Sequence, residues 1–355
     1  MNTIKIGNKI IGKTQPLYFI ADIGANHNGS LENAYKLIEL AKESGADAAK
    51  FQNFKANKIV SKYGFENLGG QLTHQASWKK SVFEIYEDAS ISMDWTSKLK
   101  DKCNEVGIDY FTSPYDIDSV DHVDPFVDVY KIGSGDITWI EIIEYIAKKG
   151  KPVFLATGAS EMPDVERAME AIGKYTNEIV LMQCNTNYTI EESKIKYVNL
   201  NVLKTYQQKY PSVVLGLSDH TLGHSTVLGS IALGAVVFEK HFTDDNANEG
   251  PDHKFAMNPE TWKAMVKGGY ELHSALGDGF KRVEENEKQS LVVQQRCLRA
   301  TKNLAKGHII TENDLEALRP IPEGGIKPYE LEKVIGKMIV TDLEQGKHLA
   351  WQDIK

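Results

Sequence analysis

The feature that most constrains this chain is a repeated pattern in which a short apolar segment ends in a charged or polar residue. A helical stretch follows each segment. The clearest repeats end at Asp22, Lys50, Lys131, Ser218 and Glu239. When parallel strands alternate with helices around a barrel, the carboxyl ends of all strands open onto one face, where active sites are built. The pattern therefore predicts both a fold and the place of a site.

Eight strand–helix units can be read along the chain. The predicted strands span residues 17–23, 47–52, 108–112, 127–132, 152–155 and 179–182, and two more end at Ser218 and Glu239. This alternation favours an α/β fold with a (β/α)8 barrel over an open doubly wound sheet. The order of the elements alone is compatible with both.

Two segments fall outside this alternation. Residues 4–11 alternate isoleucine with polar residues around Gly7 and Asn8, which predicts a hairpin before the first barrel strand. Residues 54–90 are polar, rich in aromatic side chains and too long for an ordinary strand-to-helix connection. We interpret this second segment as a functional lid or an insertion.

The length of the chain leaves room for a second domain. A barrel of this kind needs about 250 residues, and the chain has 355. We predict a barrel domain over residues 1–280, a charged linker over 281–291 and a small mixed domain over 292–355. A domain of about 60 residues gains limited stability from its own core, so we expect it to pack on the barrel or on a partner subunit.

Composition excludes some classes of function. The net charge is −8 and the pI is near 5.7, which argues against a nucleic-acid-binding protein because such proteins usually carry a basic surface. The three cysteines, Cys103, Cys184 and Cys297, lack metal-site spacing and predict free thiols in a reducing cytoplasm. We find no apolar run that predicts a signal peptide or a membrane segment.

Two histidines, His220 and His241, stand at the ends of adjacent predicted strands. Imidazole is the commonest side-chain ligand for transition metals, and two such ligands with water molecules would make an open metal site. A pair of hydrogen-bonded histidines at a barrel mouth is the alternative, and the residues alone leave both open. Asp219, Glu239 and Asp252 are near enough in sequence to join this site or to orient its ligands.

Two lysines, Lys50 and Lys131, also end strands. A lysine in this position can form a Schiff base or bind an anion such as phosphate. Together with Ser134, Ser218 and the turn at Thr157-Gly158, the two lysines favour an anion-binding site over a single nucleophile.

Acidic and aromatic residues near the strand ends suit a polyol substrate. Asp22 and Asp136 could hydrogen-bond a sugar or transfer a proton, although Asp136 also fits an ordinary turn aspartate. Tyr188 follows the sixth strand, where its phenol could contact a sugar or simply pack.

An ordered set of short segments resembles the sialic acid synthase family, whose members make nonulosonic acids from phosphoenolpyruvate and an amino-hexose. The matching segments are ADIGANHNG (21–29), GADAAKFQ (45–52), KIGSGD (131–136), GLSDH (216–220), EKHFT (239–243), GPDH (250–253) and ALGDG (275–279). The tail, with Arg319-Pro320 and residues 324–326, resembles the antifreeze-like (SAF) domain that ends these synthases. No single segment is specific, but the ordered set is.

The resemblance implies a (β/α)8 TIM barrel with a C-terminal SAF domain, a domain-swapped homodimer and a cytoplasmic enzyme. The implied reaction is a metal-dependent condensation of phosphoenolpyruvate with open-chain N-acetylmannosamine or a related amino-hexose, plus water, with release of phosphate. No nucleic-acid or membrane partner is implied.

The resemblance also implies a role for each site residue. The catalytic residues would be Asp22, Asp136, Glu239 and Asp252. Phosphoenolpyruvate would be bound by Lys50, Lys131, Ser134, Ser218, Thr157 and Gly158. The sugar would contact Thr186, Asn187, Tyr188 and, from the partner subunit, Arg319. A divalent ion, Mn²⁺ in preference to Mg²⁺ or Co²⁺, would be held by His220 and His241.

Three positions depart from the family's usual pattern. Asp22 and Asp136 stand where sialic acid synthases usually carry Glu, and Thr186 stands where they carry Asn. A shorter acid withdraws its carboxylate by about 1.5 Å. All three changes map to the sugar side, so the alternative is a pseudaminic or legionaminic acid synthase that uses a 2,4-diacetamido hexose.

Other classes of function remain open at this point. A Schiff-base aldolase would use Lys50 or Lys131 and would not need a metal. A metal-dependent hydrolase would release no phosphate from phosphoenolpyruvate. A carbohydrate-binding protein with an inherited but inactive site would bind sugar without turnover.

Overall fold

An antiparallel hairpin precedes the barrel, as the sequence predicts. The computed structural model describes residues 3–70, 75–76, 78–188 and 192–355. Strand β1 (Ile4–Ile6) pairs with β2 (Lys9–Ile11). Gly7 adopts the left-handed conformation, with φ at 53°, that a tight turn of this kind requires.

Eight parallel strands then form one sheet. They are β3 (Tyr18–Asp22), β4 (Ala48–Asn53), β5 (Asp109–Pro114), β6 (Tyr130–Ile132), β7 (Val153–Ala156), β8 (Ile179–Cys184), β9 (Val214–Asp219) and β10 (Val237–His241). Hydrogen bonds join them in the order β5-β4-β3-β10-β9-β8-β7-β6, and the two end strands lie against each other. The sheet is therefore a nearly closed barrel, which confirms the (β/α)8 prediction and excludes the open doubly wound sheet.

Helices follow the strands around this barrel. They are α1 (Leu31–Glu43), α2 (Ala56–Ile59), α3 (Lys62–Glu66), α4 (Val82–Ala89), α5 (Trp95–Val106), α6 (Ile117–Val123), α7 (Ile140–Ala147), α8 (Met162–Gly173), α9 (Val202–Lys209), α10 (Ser225–Ala232) and α11 (Pro259–Ala275). Helices α2, α3 and α4 lie within the predicted insertion, of which residues 71–74 and 77 fall outside the described part of the chain.

Helix α1 shows how the sequence forms these elements. Ser30 caps it, because its hydroxyl accepts a hydrogen bond of 3.1 Å from the backbone N–H of Asn33; such a cap stabilises a helix by about 1 kcal/mol. The residues buried against the barrel are Ala34, Leu37, Ile38 and Ala41. Their spacing of three and four residues makes one apolar stripe.

The register of the strands decides which side chains face the barrel interior. His241 is level with Asp22 across β10 and β3, and Glu239 is level with Ser218 across β10 and β9. Asp219 is level with Lys240. Because successive residues of a strand point to opposite faces, the first four side chains share the inner face, and Asp219 and Lys240 share the outer one.

The chain divides into two compact units, one ending at Gly277 and the other spanning Asp278–Lys355. The second unit contains α12 (Lys288–Gln294), α13 (Leu331–Val334) and the antiparallel pair β11 (Cys297–Ala300) and β12 (Leu315–Leu318). Its own apolar core includes Leu298, Ile310, Ile339 and Leu349. The predicted linker, residues 281–291, is almost wholly exposed and includes the start of α12.

Two further expectations can be compared with the structure. Cys103, Cys184 and Cys297 are free, as predicted, and all three are buried. Of the helices in the described ranges, none is both long and apolar enough to cross a membrane.

Candidate active site

A cavity of about 480 Å³ opens at the carboxyl ends of the barrel strands. It brings together most of the residues predicted for the site. Those that line it are Asp22, Lys50, Lys131, Ser134, Asp136, Thr186, Tyr188, Ser218, His220, Glu239, His241 and Asp252. Side chains from six barrel strands or the segments that follow them therefore meet at one place.

Lys50 and Lys131 lie at the bottom of this cavity and are already paired with acids. Lys50 Nζ is 2.5 Å from Asp22 Oδ2 and 3.6 Å from Glu239 Oε1. Lys131 Nζ is 3.1 Å from the same oxygen of Glu239. All four side chains are buried. An anionic ligand would have to compete with these carboxylates for the two ammonium groups.

Lys50 and Asp22 each stabilise the charged form of the other. Burial opposes the charging of Lys50, but Asp22 and then Glu239 outweigh it and raise the pKa of Lys50. Burial would likewise raise the pKa of Asp22, but Lys50 and then His241 hold that pKa below its ordinary value. The second oxygen of Glu239, Oε2, is buried and has no hydrogen-bond partner among the described residues.

The turn at Thr157-Gly158, predicted to bind an anion, is connected to the cavity through Ser134. The backbone N–H of Gly158 donates a 2.9 Å hydrogen bond to Ser134 Oγ, which lines the cavity. The hydroxyl of Thr157 instead donates to the carbonyl of Met182 and accepts from the phenol of Tyr206, each at 2.9 Å. Within the described residues Thr157 and Gly158 are not part of the lining.

The rings of His220 and His241 lie side by side, with centroids 5.5 Å apart. His220 Nδ1 donates to the carbonyl of Asn185 at 2.9 Å, which leaves Nε2 as the nitrogen with a free lone pair. His241 Nδ1 is buried without a hydrogen-bond partner in the described part of the chain. It lies 3.6 Å from Asp252 Oδ2, and His241 Nε2 lies 3.7 Å from Asp22 Oδ2.

This donor set fits a divalent cation. An unpaired polar atom that is buried destabilises a fold, and a cation beside His241 and its two carboxylate neighbours would remove that penalty. The described residues contain no ready-made cluster of three or more His, Cys, Asp or Glu ligands. The ion would therefore depend on water or substrate for further ligands, as catalytic metal sites commonly do.

The cavity also carries a carboxyl group that can hold a proton, that of Asp136. Asp136 ends a short 3-10 turn, Ser134–Asp136. Burial raises the pKa of Asp136 to about 6. A carboxyl group with such a pKa can act as an acid or a base close to neutral pH.

Tyr188 packs beside the histidines, and its neighbours in sequence differ in placement. Its ring lies 4.2 Å from that of His220 and 5.3 Å from that of Phe255, centroid to centroid. Thr186 lines the cavity, whereas Asn187 is exposed and is not part of the described lining. Arg319 belongs to the second unit, and its role toward a partner subunit stays a prediction.

Sequence reasoning missed an aromatic wall. Phe54, Trp78, Tyr86 and Tyr115 line the cavity, and the ring of Phe54 lies 5.5 Å from Tyr86 and 5.9 Å from Tyr115. The signal was present, since residues 54–90 are rich in aromatic side chains. The segment that we interpreted as a lid or an insertion thus supplies part of the lining.

Gln52 on β4 belongs to the described lining of the cavity, whereas Asp219 on β9 does not. Gln52, which was not singled out, lines the cavity and donates to Asp22 Oδ2 at 3.3 Å. Asp219, which is near enough in sequence to join the metal site or orient its ligands, instead forms a buried ion pair with Lys240 on the outer face of the barrel. Its carboxylate also accepts from the hydroxyls of Thr221 and Thr226.

Known proteins are similar to this chain over nearly its whole length. The sequence matches the NeuB family over residues 37–281 and the SAF domain over residues 295–355. It is 33% identical to the N,N'-diacetyllegionaminic acid synthase of Legionella pneumophila over 355 residues, which cover 98% of each chain. It is 31% identical to the pseudaminic acid synthase of Campylobacter jejuni, over 99% of this chain and 100% of that protein.

A solved structure shows the same architecture. The N-acetylneuraminic acid (sialic acid) synthetase of Leptospira borgpetersenii, crystallised in complex with citrate, superposes with a TM-score of 0.72 at 26% sequence identity. The match covers 82% of this chain and 95% of that one.

Proposed function

The chain belongs to the NeuB family, and from this premise we propose that it is a nonulosonic acid synthase that condenses phosphoenolpyruvate with an open-chain N-acetylated amino-hexose. The observation that carries the proposal is the meeting of two buried lysines and two strand-end histidines in one cavity. Lysines suit the phosphate and carboxylate of phosphoenolpyruvate, and the histidines suit a divalent ion.

The proposed reaction balances as an aldol-type condensation. C3 of phosphoenolpyruvate attacks the aldehyde carbon of the sugar and forms the new C–C bond. The cationic centre that develops at C2 takes up water, and the resulting tetrahedral intermediate expels phosphate by cleavage of its C–O bond. Phosphoenolpyruvate is thus a carbon nucleophile and not a phosphoryl donor.

Lys50, Lys131 and Glu239 are suited to the charges of this reaction. The two ammonium groups would neutralise the anionic groups of phosphoenolpyruvate, with Ser134 and Ser218 as hydrogen-bonding neighbours. Glu239 touches both lysines and has one oxygen without a partner in the described chain. Its fixed negative charge would stabilise the cationic centre at C2.

Asp136 is suited to proton transfer on the sugar side. The aldehyde oxygen gains negative charge as the C–C bond forms, and it must take up a proton. The raised pKa of Asp136, about 6, keeps part of this group protonated near neutral pH. Asp136 would therefore serve as the general acid.

His220 and His241 would hold Mn²⁺, or Mg²⁺ or Co²⁺ in its place. When bound, such an ion supplies Lewis-acid polarisation of the sugar's aldehyde oxygen. The carbonyl of Asn185 fixes the orientation of His220, and Asp22 and Asp252 flank His241 on both ring nitrogens.

The acceptor sugar has two candidate classes. N-acetylmannosamine or a close relative is the first. A 2,4-diacetamido hexose is the second, and the aromatic wall of Phe54, Tyr86 and Tyr115 supports it because N-acetyl methyl groups would pack on such a surface. The domain-swapped homodimer, with Arg319 reaching the partner's sugar site, stays a prediction of the resemblance.

Phosphate release tests the proposal. Phosphoenolpyruvate and Mn²⁺ would be incubated with the protein and a panel of 2-acetamido and 2,4-diacetamido hexoses, with and without EDTA. We expect release that needs a sugar and stops with EDTA, and the best sugar would name the product. Lys131→Met should abolish it, whereas Lys209→Met, at an exposed lysine on α9, should not.

Two outcomes would overturn the proposal. Borohydride trapping of a substrate adduct on Lys50 or Lys131, together with EDTA-resistant turnover, would favour the Schiff-base aldolase. Sugar binding without phosphate release from any member of the panel, by a folded protein that holds Mn²⁺, would favour a binding function.

A further inference from the structure

We propose that His253 is a positioning residue that holds the Asp252 carboxylate at the cavity by tying together two loops of the barrel mouth. One loop follows β3 and the other follows β10. This inference rests on the proposed function, since it concerns a carboxylate of that site, but part of its test does not need turnover.

His253 is fully buried and hydrogen-bonded on both ring nitrogens. Its Nδ1 lies 2.7 Å from Thr243 Oγ1, and its Nε2 lies 3.2 Å from Asn28 Oδ1. The amide oxygen of Asn28 only accepts, so Nε2 carries the proton and Nδ1 accepts from the Thr243 hydroxyl. Burial lowers the pKa of His253, which agrees with a neutral ring of fixed tautomer.

The backbone around His253 is shaped to admit this ring. A Cβ atom at Gly250 would lie 2.6 Å from His253 Cδ2 and 3.1 Å from Asn28 Oδ1. Asn28 itself adopts a left-handed conformation, with φ at 50°, which few residues other than glycine tolerate. A glycine that leaves room for the ring and an asparagine in the left-handed conformation therefore surround one imidazole.

Asp252 and His253 contact the same loop at two points. Asp252 Oδ2 accepts a 3.2 Å hydrogen bond from the N–H of Ala25, and His253 reaches Asn28 three residues further on. The same Asp252 oxygen lies 3.6 Å from His241 Nδ1. The double contact fixes the segment that carries Asp252, and so fixes the distance of its carboxylate from His241.

A double-mutant cycle tests this role through turnover. His253→Phe should lower kcat at least about tenfold, because small displacements of a catalytic group cost large factors in rate. The KM for phosphoenolpyruvate should stay within about twofold, since the two lysines lie elsewhere in the cavity. In an Asp252→Ala background, His253→Phe should lower kcat by less than about twofold more.

A second measurement does not depend on activity. Hydrogen exchange of the Ala25 amide reports on its bond to Asp252, with the amides of α10 as an internal reference. His253→Phe should raise the exchange rate of Ala25 toward the rate in Asp252→Ala, and the double variant should show no further rise. Asn28→Gly, which keeps the backbone conformation and the imidazole, should act in the same direction if His253→Phe does not fold.

Two results would overturn the inference. One is an Ala25 amide that stays as protected in His253→Phe and Asn28→Gly as in the unaltered chain. The other is a factor on kcat that is the same with and without Asp252, as a general loss of structure would produce. A failure of phosphate release in the unaltered chain would count against the proposed function alone, because the exchange measurement would still decide the role of His253.

Discussion

Lys50 and Asp22 form a 2.5 Å ion pair across adjacent barrel strands, and neither side chain is more than 5% exposed. The pair occupies the place where the proposed anionic substrate would bind. Each charge is therefore held by the other until a ligand enters, and this has consequences for both stability and binding.

Asp22→Asn should lower the free energy of unfolding by about 3 kcal/mol, because among the described residues Lys50 then keeps only the more distant carboxylate of Glu239 as a buried partner. Phosphoenolpyruvate should restore part of the loss, since its anionic groups replace the missing carboxylate. Urea denaturation with and without phosphoenolpyruvate measures both effects. Asp94→Asn, which breaks the exposed pair with Lys98, is the control and should cost less than about 1 kcal/mol; equal losses in the two variants would contradict the prediction.

Stability should fall as the pH drops from about 7.5 toward 4, in part because of His27. Burial lowers the pKa of His27 from 6.5 to about 4, so between these values the unfolded chain binds a proton that the folded chain does not. The loss from this residue would be about 3 kcal/mol when complete. His27 packs on Trp95 and accepts a hydrogen bond from the N–H of Gly29, so its role is structural.

The measurement compares urea denaturation of the unaltered chain and His27→Gln at pH 7.5 and pH 5. The variant should show the smaller difference between the two pH values, because it lacks the titrating ring. An identical pH dependence in both proteins would show that other groups are responsible.

Asp136→Asn should lower kcat by about a hundredfold, because an amide cannot donate the proton that the new alkoxide needs. In the unaltered enzyme kcat should fall as the pH rises above about 6, where Asp136 loses its proton. The variant should lack that limb of the pH–rate profile. A profile that keeps the same limb after the substitution would remove Asp136 from the role of general acid.

His241→Ala should abolish the binding of Mn²⁺ and with it the turnover that EDTA suppresses, since the ring is flanked by two carboxylates and has an unpaired nitrogen within the described chain. Electron paramagnetic resonance of Mn²⁺ titrated into the protein gives the affinity directly. His273→Ala, in the last turn of α11, is the matched control. Full Mn²⁺ affinity in His241→Ala would disprove the assignment.

The ends of the strands were predictable because their signal is local. An apolar run that stops at a charged residue and precedes a helix is visible in the sequence itself, and it located Lys50, Lys131 and Glu239 at one cavity. The resemblance to the sialic acid synthase family is confirmed by the match to the NeuB family and by the named relatives.

What the sequence left open depends on contacts between distant segments. Asp219 is near enough in sequence to join the histidines, but the alternation of side chains along β9 turns it to the outer face. The hydroxyl of Thr157 accepts a hydrogen bond from the phenol of Tyr206, 49 residues away. The bond between His253 and Asn28 spans 225 residues, and no short motif reports such a pairing.

The buried ion pair of Asp219 and Lys240 joins β9 and β10 on the outer face of the barrel wall, away from the cavity. A shift of β10 by one residue relative to β9 would break this pair and turn Glu239 and His241 out of the cavity. With Asp219 and Lys240 paired on the outer face, the register of these two strands does not depend solely on the side chains that face the cavity. Under the proposed function, such a wall would let residues that contact the sugar differ between proteins while the lysines keep their places.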